Sequence, residues 1–290
     1  MPLLHIGGYE WLDWHLHPEV VLLVLGLEAA YLYAVAYLRQ RVTDAGRIKR
    51  SQVLAFSLGV LVLYIGAGTP IHDLSERYLL SAHMFQHLLF TMVAAPLLLA
   101  GTPAWLWQAL LRGPRVTQVA RVLTHPLLAF AVFNATLLLT HLPATVDLSL
   151  RHHFFHLFVH GALVATALLM WWPILSSVPE LPAVSYPAQM AYLFLQSLLP
   201  AVMASFITFS DSVVYSFYGD APRIWGISPM ADQQIAGGIM KLLGSLILWS
   251  FIAVAFFRWY GAEEAEARGP RWSEVQEELD RLGLKTHRQS

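Results

Sequence analysis

The sequence predicts an all-α fold: a polytopic membrane bundle of about seven transmembrane helices, with its N-terminus outside and its C-terminus in the cytoplasm. Composition is the first observation, because 57% of the 290 residues are hydrophobic and 13% are charged, against about 25% charged residues in a typical soluble domain. The second is that seven separate stretches approach the roughly 20 apolar residues with which a helix crosses a bilayer. The third is the uneven distribution of lysine and arginine. Together they predict a chain embedded in a lipid bilayer.

The seven stretches are separated by short segments that contain proline or glycine, as expected of turns between helices. We place the spans near residues 18–38, 52–69, 79–99, 122–140, 154–174, 188–209 and 233–259. Residues 1–260 are therefore predicted to form one seven-helix transmembrane domain. Residues 261–290 are predicted to be a cytoplasmic tail, in which the run SEVQEELDRLGL has the pattern of a short amphipathic helix.

Orientation follows from the basic residues, because lysine and arginine are enriched in cytoplasmic loops. With the N-terminus outside, fourteen of the eighteen basic residues fall in inner segments or in the tail. The net charge of −1 gives no reason to expect a nucleic-acid partner.

Residue types limit the chemistry. The chain contains no cysteine, so it has neither a disulfide nor a thiolate site, and any soft-metal chemistry must use histidine or methionine. It also lacks HExxH, GxSxG and the phosphate-binding GxxxxGKS/T pattern. Hydrolytic catalysis of these kinds is therefore not expected, and we expect a protein that is not an enzyme. An intramembrane metalloenzyme built from other spacings stays an open alternative.

The histidines are concentrated on one side of the membrane. Eleven of the thirteen fall in outer segments or in the outer halves of the predicted spans. His83 and His87 are four residues apart and share one helix face, as do His156 and His160 on another helix. At about 1.5 Å per residue the two pairs lie at a similar depth, which predicts that four imidazoles converge on a metal. The alternative is that each histidine hydrogen-bonds to a neighbouring helix or to water.

Further side chains are candidates to complete such a site. His72 and His141 end the second and fourth spans at the same rim. The Met84 thioether is a soft ligand suited to Cu(I), although a buried methionine also serves as filler in an apolar core. Three more histidines lie in an aromatic N-terminal segment that also fits an interfacial anchor: His5, His15 and His17.

Two ionisable residues lie deep within predicted spans, Glu28 in the first and Lys241 in the seventh. Charges at that depth are costly and are usually paired or functional. We therefore hypothesise that Glu28 and Lys241 form an intramembrane pair, which is either purely structural or part of a polar path.

Four segments carry a resemblance that is more specific than any single histidine pair. They are SAHMFQHLL (81–89), THLP (140–143), HLFVHGALVATALLMWWPIL (156–175) and RIWGISPMADQQIAGGIM (223–240). In this order they resemble the cytochrome c oxidase assembly factor family of the CtaG type that occurs with caa3 oxidases. The resemblance implies a seven-helix protein of the bacterial plasma membrane that is needed to mature haem-copper oxidase and is commonly thought to act in copper delivery.

The leading hypothesis is thus a non-enzymatic assembly factor that binds copper at its outer face and transfers it to a cytochrome c oxidase subunit. The expected ligands are His83, His87, His156 and His160, with His72, His141 and Met84 as secondary candidates. Asp232 is expected to orient an imidazole as a hydrogen-bond acceptor.

Two other functions fit the same pattern. Histidines that face each other across a bundle also ligate haem, which would give a membrane cytochrome or quinol oxidoreductase. A copper transporter would instead need further polar groups along the path from the histidines toward the inner side of the membrane. The sequence does not determine the oligomeric state, and a homo-oligomer is an open alternative.

Overall fold

The computed structural model describes residues 17–42 and 46–268, together with residues 276, 278, 279, 281 and 282. Every element in this part of the chain is helical, which confirms the predicted all-α class. The helices are α1 (Pro18–Ala36), α2 (Arg50–Gly68), α3 (Pro70–Arg77), α4 (Leu80–Leu88), α5 (Ala95–Gly101), α6 (Ala104–Leu110), α7 (Pro114–Leu123), α8 (Pro126–Thr140), α9 (Pro143–Arg151), α10 (His153–Leu175), α11 (Tyr186–Phe209), α12 (Ser216–Asp220), α13 (Pro229–Gly238) and α14 (Gly244–Arg268). A 3-10 turn (Leu38–Arg41) follows α1, and π-helical segments join α4 to α5 (Leu89–Ala94) and α13 to α14 (Ile239–Leu243).

Six helical units of the described chain are long and apolar enough to cross a bilayer. They are Pro18–Ala36, Arg50–Gly68, Leu80–Gly101, His153–Leu175, Tyr186–Phe209 and Pro229–Ala267. A seventh span is present if α7 and α8, which are bent by 69° at their junction, count as one. The predicted polytopic bundle is therefore confirmed, whereas the orientation of its termini stays a prediction.

The predicted fourth span, 122–140, begins four residues before the helix that the structure contains. Val122 belongs to α7, and α8 begins at Pro126. Proline lacks an N–H and disfavours helical backbone at the residue before it, and His125 accordingly has φ −60° and ψ 129°. The apolar pattern continues across this break, so hydropathy alone could not locate it.

The third span is the central element of the bundle. Within the apolar window of Leu80–Gly101, 72% of residues are buried inside the protein, against 17–44% for the other five long spans. It packs against α10, where Ala167, Met170 and Trp171 are completely buried. The two predicted histidine pairs belong to these two spans, so they occupy the most enclosed part of the molecule.

The π-helical segment of the third span has a cause in the sequence. The Ala95 N–H donates five residues back, to the Phe90 carbonyl. The next donor in this pattern would be Pro96, which has no N–H to offer the Thr91 carbonyl. The Trp171 indole N–H from α10 donates to that carbonyl instead, at 2.8 Å. This bond satisfies the freed backbone group and joins the two spans that carry the histidine pairs.

The C-terminal part is described only in places. α14 continues to Arg268, beyond the predicted domain boundary at residue 260. Of the predicted amphipathic run at 273–284, residues 276, 278, 279 and 281 are helical and Leu282 lies in a turn. The remainder of that run is outside the described residues.

Candidate metal centre

Six histidines lie together near one end of the bundle. They come from four separate elements: His72 from α3, His83 and His87 from α4, His156 and His160 from α10, and His141 from the residue after α8. We call these six side chains the histidine cluster. Each is only 3–8% exposed, although histidine is on average only partly buried in proteins.

The two helical pairs face each other across the bundle. The ring centroids lie 4.2 Å apart for His83 and His87, and 4.1 Å apart for His156 and His160. Between the helices, His83 lies 5.9 Å from His156 and His87 lies 5.2 Å from His160. The four imidazoles that the sequence singled out are therefore in mutual contact.

The remaining histidines extend the cluster in two directions. His72 lies 5.8 Å from His156, and His141 lies 5.4 Å from His87, between ring centroids. His17, just before α1, lies 4.7 Å from His72. His5 and His15 are outside the described residues.

Glu76 is a member of this site that the sequence analysis missed. Its Oε1 atom lies 3.2 Å from His72 Nε2 and 3.3 Å from His156 Nε2, and these three residues place their ligand atoms within 4.8 Å of one another. Burial raises the pKa of the Glu76 carboxyl. The available signal was the spacing in PIHDLSER, where His72 and Glu76 are four residues apart on one helix face.

Gln86 determines how His72 faces this carboxylate. Burial, followed by the neighbouring His156, lowers the pKa of His72 to about 3, so its ring is neutral and carries one N–H. The Gln86 amide Nε2 donates to the Gly66 carbonyl at 2.7 Å and lies 2.9 Å from His72 Nδ1. Because this amide nitrogen is a donor, Nδ1 must accept and Nε2 carries the proton, a tautomer assigned from its partners. The Nε2–H is thus the edge that faces Glu76.

Asp232 supports the site differently from the prediction. Its carboxylate accepts from the Leu80 N–H at 2.7 Å and from the N–H and hydroxyl of Ser81 at 3.1 and 2.5 Å. These are the unpaired donors at the start of α4, so Asp232 caps the helix that carries His83 and His87. The expectation that Asp232 accepts directly from an imidazole is not met by any of these bonds.

The segment between α11 and α13 covers this end of the bundle. The Tyr215 hydroxyl donates to the His141 carbonyl at 2.9 Å, and the Tyr218 hydroxyl donates to the Ser75 carbonyl at 2.5 Å. Asp147 on α9 accepts from the Ser216 hydroxyl at 2.6 Å. These bonds hold the covering segment against α3, α8 and α9, and they reduce the access of water to the cluster.

The family model of the cytochrome c oxidase caa3 assembly factor matches residues 29–262, which is most of the chain. The protein belongs to this family. The match includes all six histidines of the cluster as well as Glu76, Gln86 and Asp232.

Curated relatives that are similar to this chain come from mycobacteria. Uncharacterized proteins of Mycobacterium bovis and Mycobacterium tuberculosis are each 26% identical over 260 residues, which cover 82% of this chain and 37% of theirs. One of Mycobacterium leprae is 25% identical over 204 residues, covering 65% and 31%. The chain thus spans about a third of the length of these relatives. No solved structure is significantly similar to it.

Glu28 and Lys241 each hydrogen-bond to a different side chain, and the hypothesised pair is not among the contacts of the described residues. Glu28 accepts from the Ser57 hydroxyl at 2.6 Å, between α1 and α2. Lys241 donates to the Ser205 hydroxyl on α11 at 3.0 Å and lies 5.9 Å from the centre of the Phe209 ring. Each group therefore has its own hydroxyl partner on the adjacent helix.

Met84, the remaining predicted ligand, is buried beside a cavity that borders the cluster. Its side chain is 3% exposed and lines a cavity together with His87 and His141. Glu76 is not among the residues that line this cavity.

Proposed function

We propose that this assembly factor binds copper in the histidine cluster and delivers it to a subunit of the haem-copper oxidase. One observation carries the proposal. Six buried ring nitrogens, on His83, His87, His156 and His160, have no hydrogen-bond partner within the described chain. One of them, His156 Nε2, lies 3.3 Å from the Glu76 carboxylate. Burying a polar group without a partner costs about 1–3 kcal/mol, and each of the four neutral rings has one lone pair to offer, so together they favour a bound metal ion that accepts these lone pairs.

Copper suits this set of donors. Imidazole nitrogen binds Cu, Zn, Fe and Ni, and Glu76 adds one carboxylate oxygen at the edge of the cluster. We assign the metal to His83, His87, His156 and His160 with Glu76. His72 positions the carboxylate, because its Nε2 proton faces Glu76 and its Nδ1 accepts from Gln86.

The same donors suit delivery. Neutral imidazoles with one carboxylate bind copper without the strong retention of a thiolate site, and the chain has no cysteine. On the orientation predicted from basic residues, the cluster faces the outer side of the bacterial plasma membrane. The role is that of a carrier protein and requires no catalysis by this chain.

Geometry favours copper over haem. The imidazole rings lie edge to face or tilted, with centroids 4.1–6.3 Å apart, each next to at least one other ring of the cluster. A flat macrocycle between two axial histidines would need the space that the other rings occupy. The cavity beside His87 has a volume of only about 50 Å³, which is room for a few water molecules.

The positions of the deep charges favour delivery over transport. Glu28 lies between α1 and α2, whereas Lys241 lies beside α11. Neither Glu28 nor Lys241 extends the polar groups of the histidine cluster toward the inner side of the membrane. Asn134 is bound to Gln196 and to the Phe130 carbonyl. These groups therefore do not form a continuous polar path for an ion.

The test is the metal content and absorption spectrum of the detergent-purified protein. Its matched variants are His83→Ala/His87→Ala/His156→Ala/His160→Ala and His125→Ala, the latter at an exposed histidine that precedes α8, far from the cluster. We expect bound copper in the parent and in His125→Ala, and loss of it in the folded quadruple variant. A Soret band in the parent would contradict the proposal in favour of haem. A parent that binds no copper would contradict it outright.

A further inference from the structure

A cavity borders the cluster at His87 and His141, and Glu76 is not part of its lining. Its lining residues include Met84, Met92, Met240, His87 and His141. The other described residues that line it are apolar or are small neutral residues, and none is acidic. Its volume of about 50 Å³ excludes a large organic cofactor and admits an ion or a few waters.

The backbone around this cavity is irregular in three spans. Both π-helical segments of the described chain border it, Leu89–Ala94 through Thr91 and Met92, and Ile239–Leu243 through Met240. Pro200, inside α11, also lines it. π-helical insertions are rare and occur frequently at functional sites, and irregular backbone within a membrane is tolerated where it lines a cavity. Simple packing of apolar side chains requires no such arrangement.

The imidazoles of His87 and His141 each have a ring nitrogen that can bind a metal ion. His141 Nδ1 lies 2.7 Å from the Leu137 carbonyl, so this nitrogen carries the proton and Nε2 keeps its lone pair. A histidine that binds metal almost always donates its other N–H to such an acceptor. His87 is 5% exposed, and neither of its ring nitrogens has a hydrogen-bond partner within the described residues.

We propose that this cavity is a second copper position, selective for Cu(I), formed by Met84, Met92, Met240, His87 and His141. The inference deepens the proposed function and rests on it. Thioether sulfur and imidazole without carboxylate select Cu(I), whereas the edge of the cluster at Glu76 offers oxygen and nitrogen. His87 borders both positions, so Cu(I) moves between them, without a change of oxidation state, by exchanging ligands around one shared imidazole.

The test loads the full-length protein with Cu(I) under anaerobic conditions, against a chromogenic Cu(I) chelator, and records the copper X-ray absorption spectrum. The variant is Met84→Leu/Met92→Leu/Met240→Leu, since leucine conserves volume and such exchanges usually cost less than about 1.5 kcal/mol. The control is Met170→Leu, which is completely buried in the neighbouring core and does not line the cavity. Ag(I), a redox-inert monovalent ion, serves as a second probe.

We expect sulfur scattering from Cu(I) in the parent and in Met170→Leu. The triple variant should lose that scattering and bind Cu(I) and Ag(I) at least tenfold more weakly, with Cu(II) binding unchanged. Copper bound in the parent through nitrogen and oxygen alone would overturn this inference and leave the proposed function standing. A parent that binds neither copper ion would overturn both.

Discussion

Gln86 Nε2 lies 2.9 Å from His72 Nδ1, and this contact determines which edge of the His72 ring faces Glu76. Gln86 is completely buried and is held on its other side by Ser75, whose hydroxyl donates to the Gln86 Oε1 atom at 3.0 Å. Because both groups of the amide are engaged, the orientation of His72 is fixed from α4. The Glu76 carboxylate is therefore positioned by a chain of contacts between three neutral side chains, those of Ser75, Gln86 and His72.

Gln86→Met should release the His72 ring. We expect copper affinity to fall about tenfold, because the outer groups that orient a metal ligand typically contribute 10–100-fold. Nitrogen NMR of labelled histidine should show a mixture of His72 tautomers in place of one. Gln196→Met is the control, since Gln196 is equally buried and bonds to Asn134. If both variants lose stability alike and both keep full copper affinity, Gln86 has no role in binding.

Glu76→Gln should weaken copper binding by about 10–100-fold, since it removes the charge and keeps the shape of the side chain. The measurement is a competition titration with a Cu(II) chelator. Glu180→Gln is the matched control, because this glutamate accepts from Gln108 and is remote from the histidines. Unchanged affinity in Glu76→Gln would show that the carboxylate is not a ligand.

The sequence predicts the histidine cluster in part, and the reasons are specific to each residue. His83 and His87, like His156 and His160, repeat every four residues, and helix geometry converts this spacing directly into a shared face. Glu76 lies four residues after His72, so the same helix geometry places both on one face. An acidic residue in a short polar segment is, however, usually interpreted as a charge exposed to solvent. The role of Asp232 could not be read from the sequence, because it depends on a contact 152 positions away in the chain.

The fold is predicted to a similar extent. Hydropathy places the spans because each is long and apolar, and it fails where proline changes the backbone without changing the apolar pattern. Pro126 ends the continuity of the fourth span, and Pro96 accompanies the π-helical segment of the third. Hydropathy also could not show that Glu28 and Lys241 each bond to a serine on a neighbouring helix.

Asp232→Ala should destabilise the protein by about 1–3 kcal/mol, since it leaves buried N–H groups at the start of α4 without acceptors. Thermal unfolding in detergent measures this change. Asp211→Ala, at an exposed position, should stay within about 0.5 kcal/mol of the parent. Equal stability of the two variants would contradict the assignment of Asp232 as a helix cap.

Glu28→Gln and Lys241→Met should act independently. Their effects on stability are expected to add within about 0.5 kcal/mol in the double variant, as for sites that share no partner. The measurement is a double-mutant cycle by denaturant unfolding in detergent. Recovery of stability in the double variant would indicate direct pairing and would contradict the observed bonds to Ser57 and Ser205.

The most direct test of the central claim is the copper content of the caa3-type oxidase purified from cells that produce the quadruple variant of His83, His87, His156 and His160. The comparison is oxidase from cells that produce the parent or His125→Ala at equal membrane levels. We predict an oxidase that retains haem and lacks most of its copper. Oxidase with full copper content in cells that depend on the quadruple variant would contradict copper delivery by the histidine cluster.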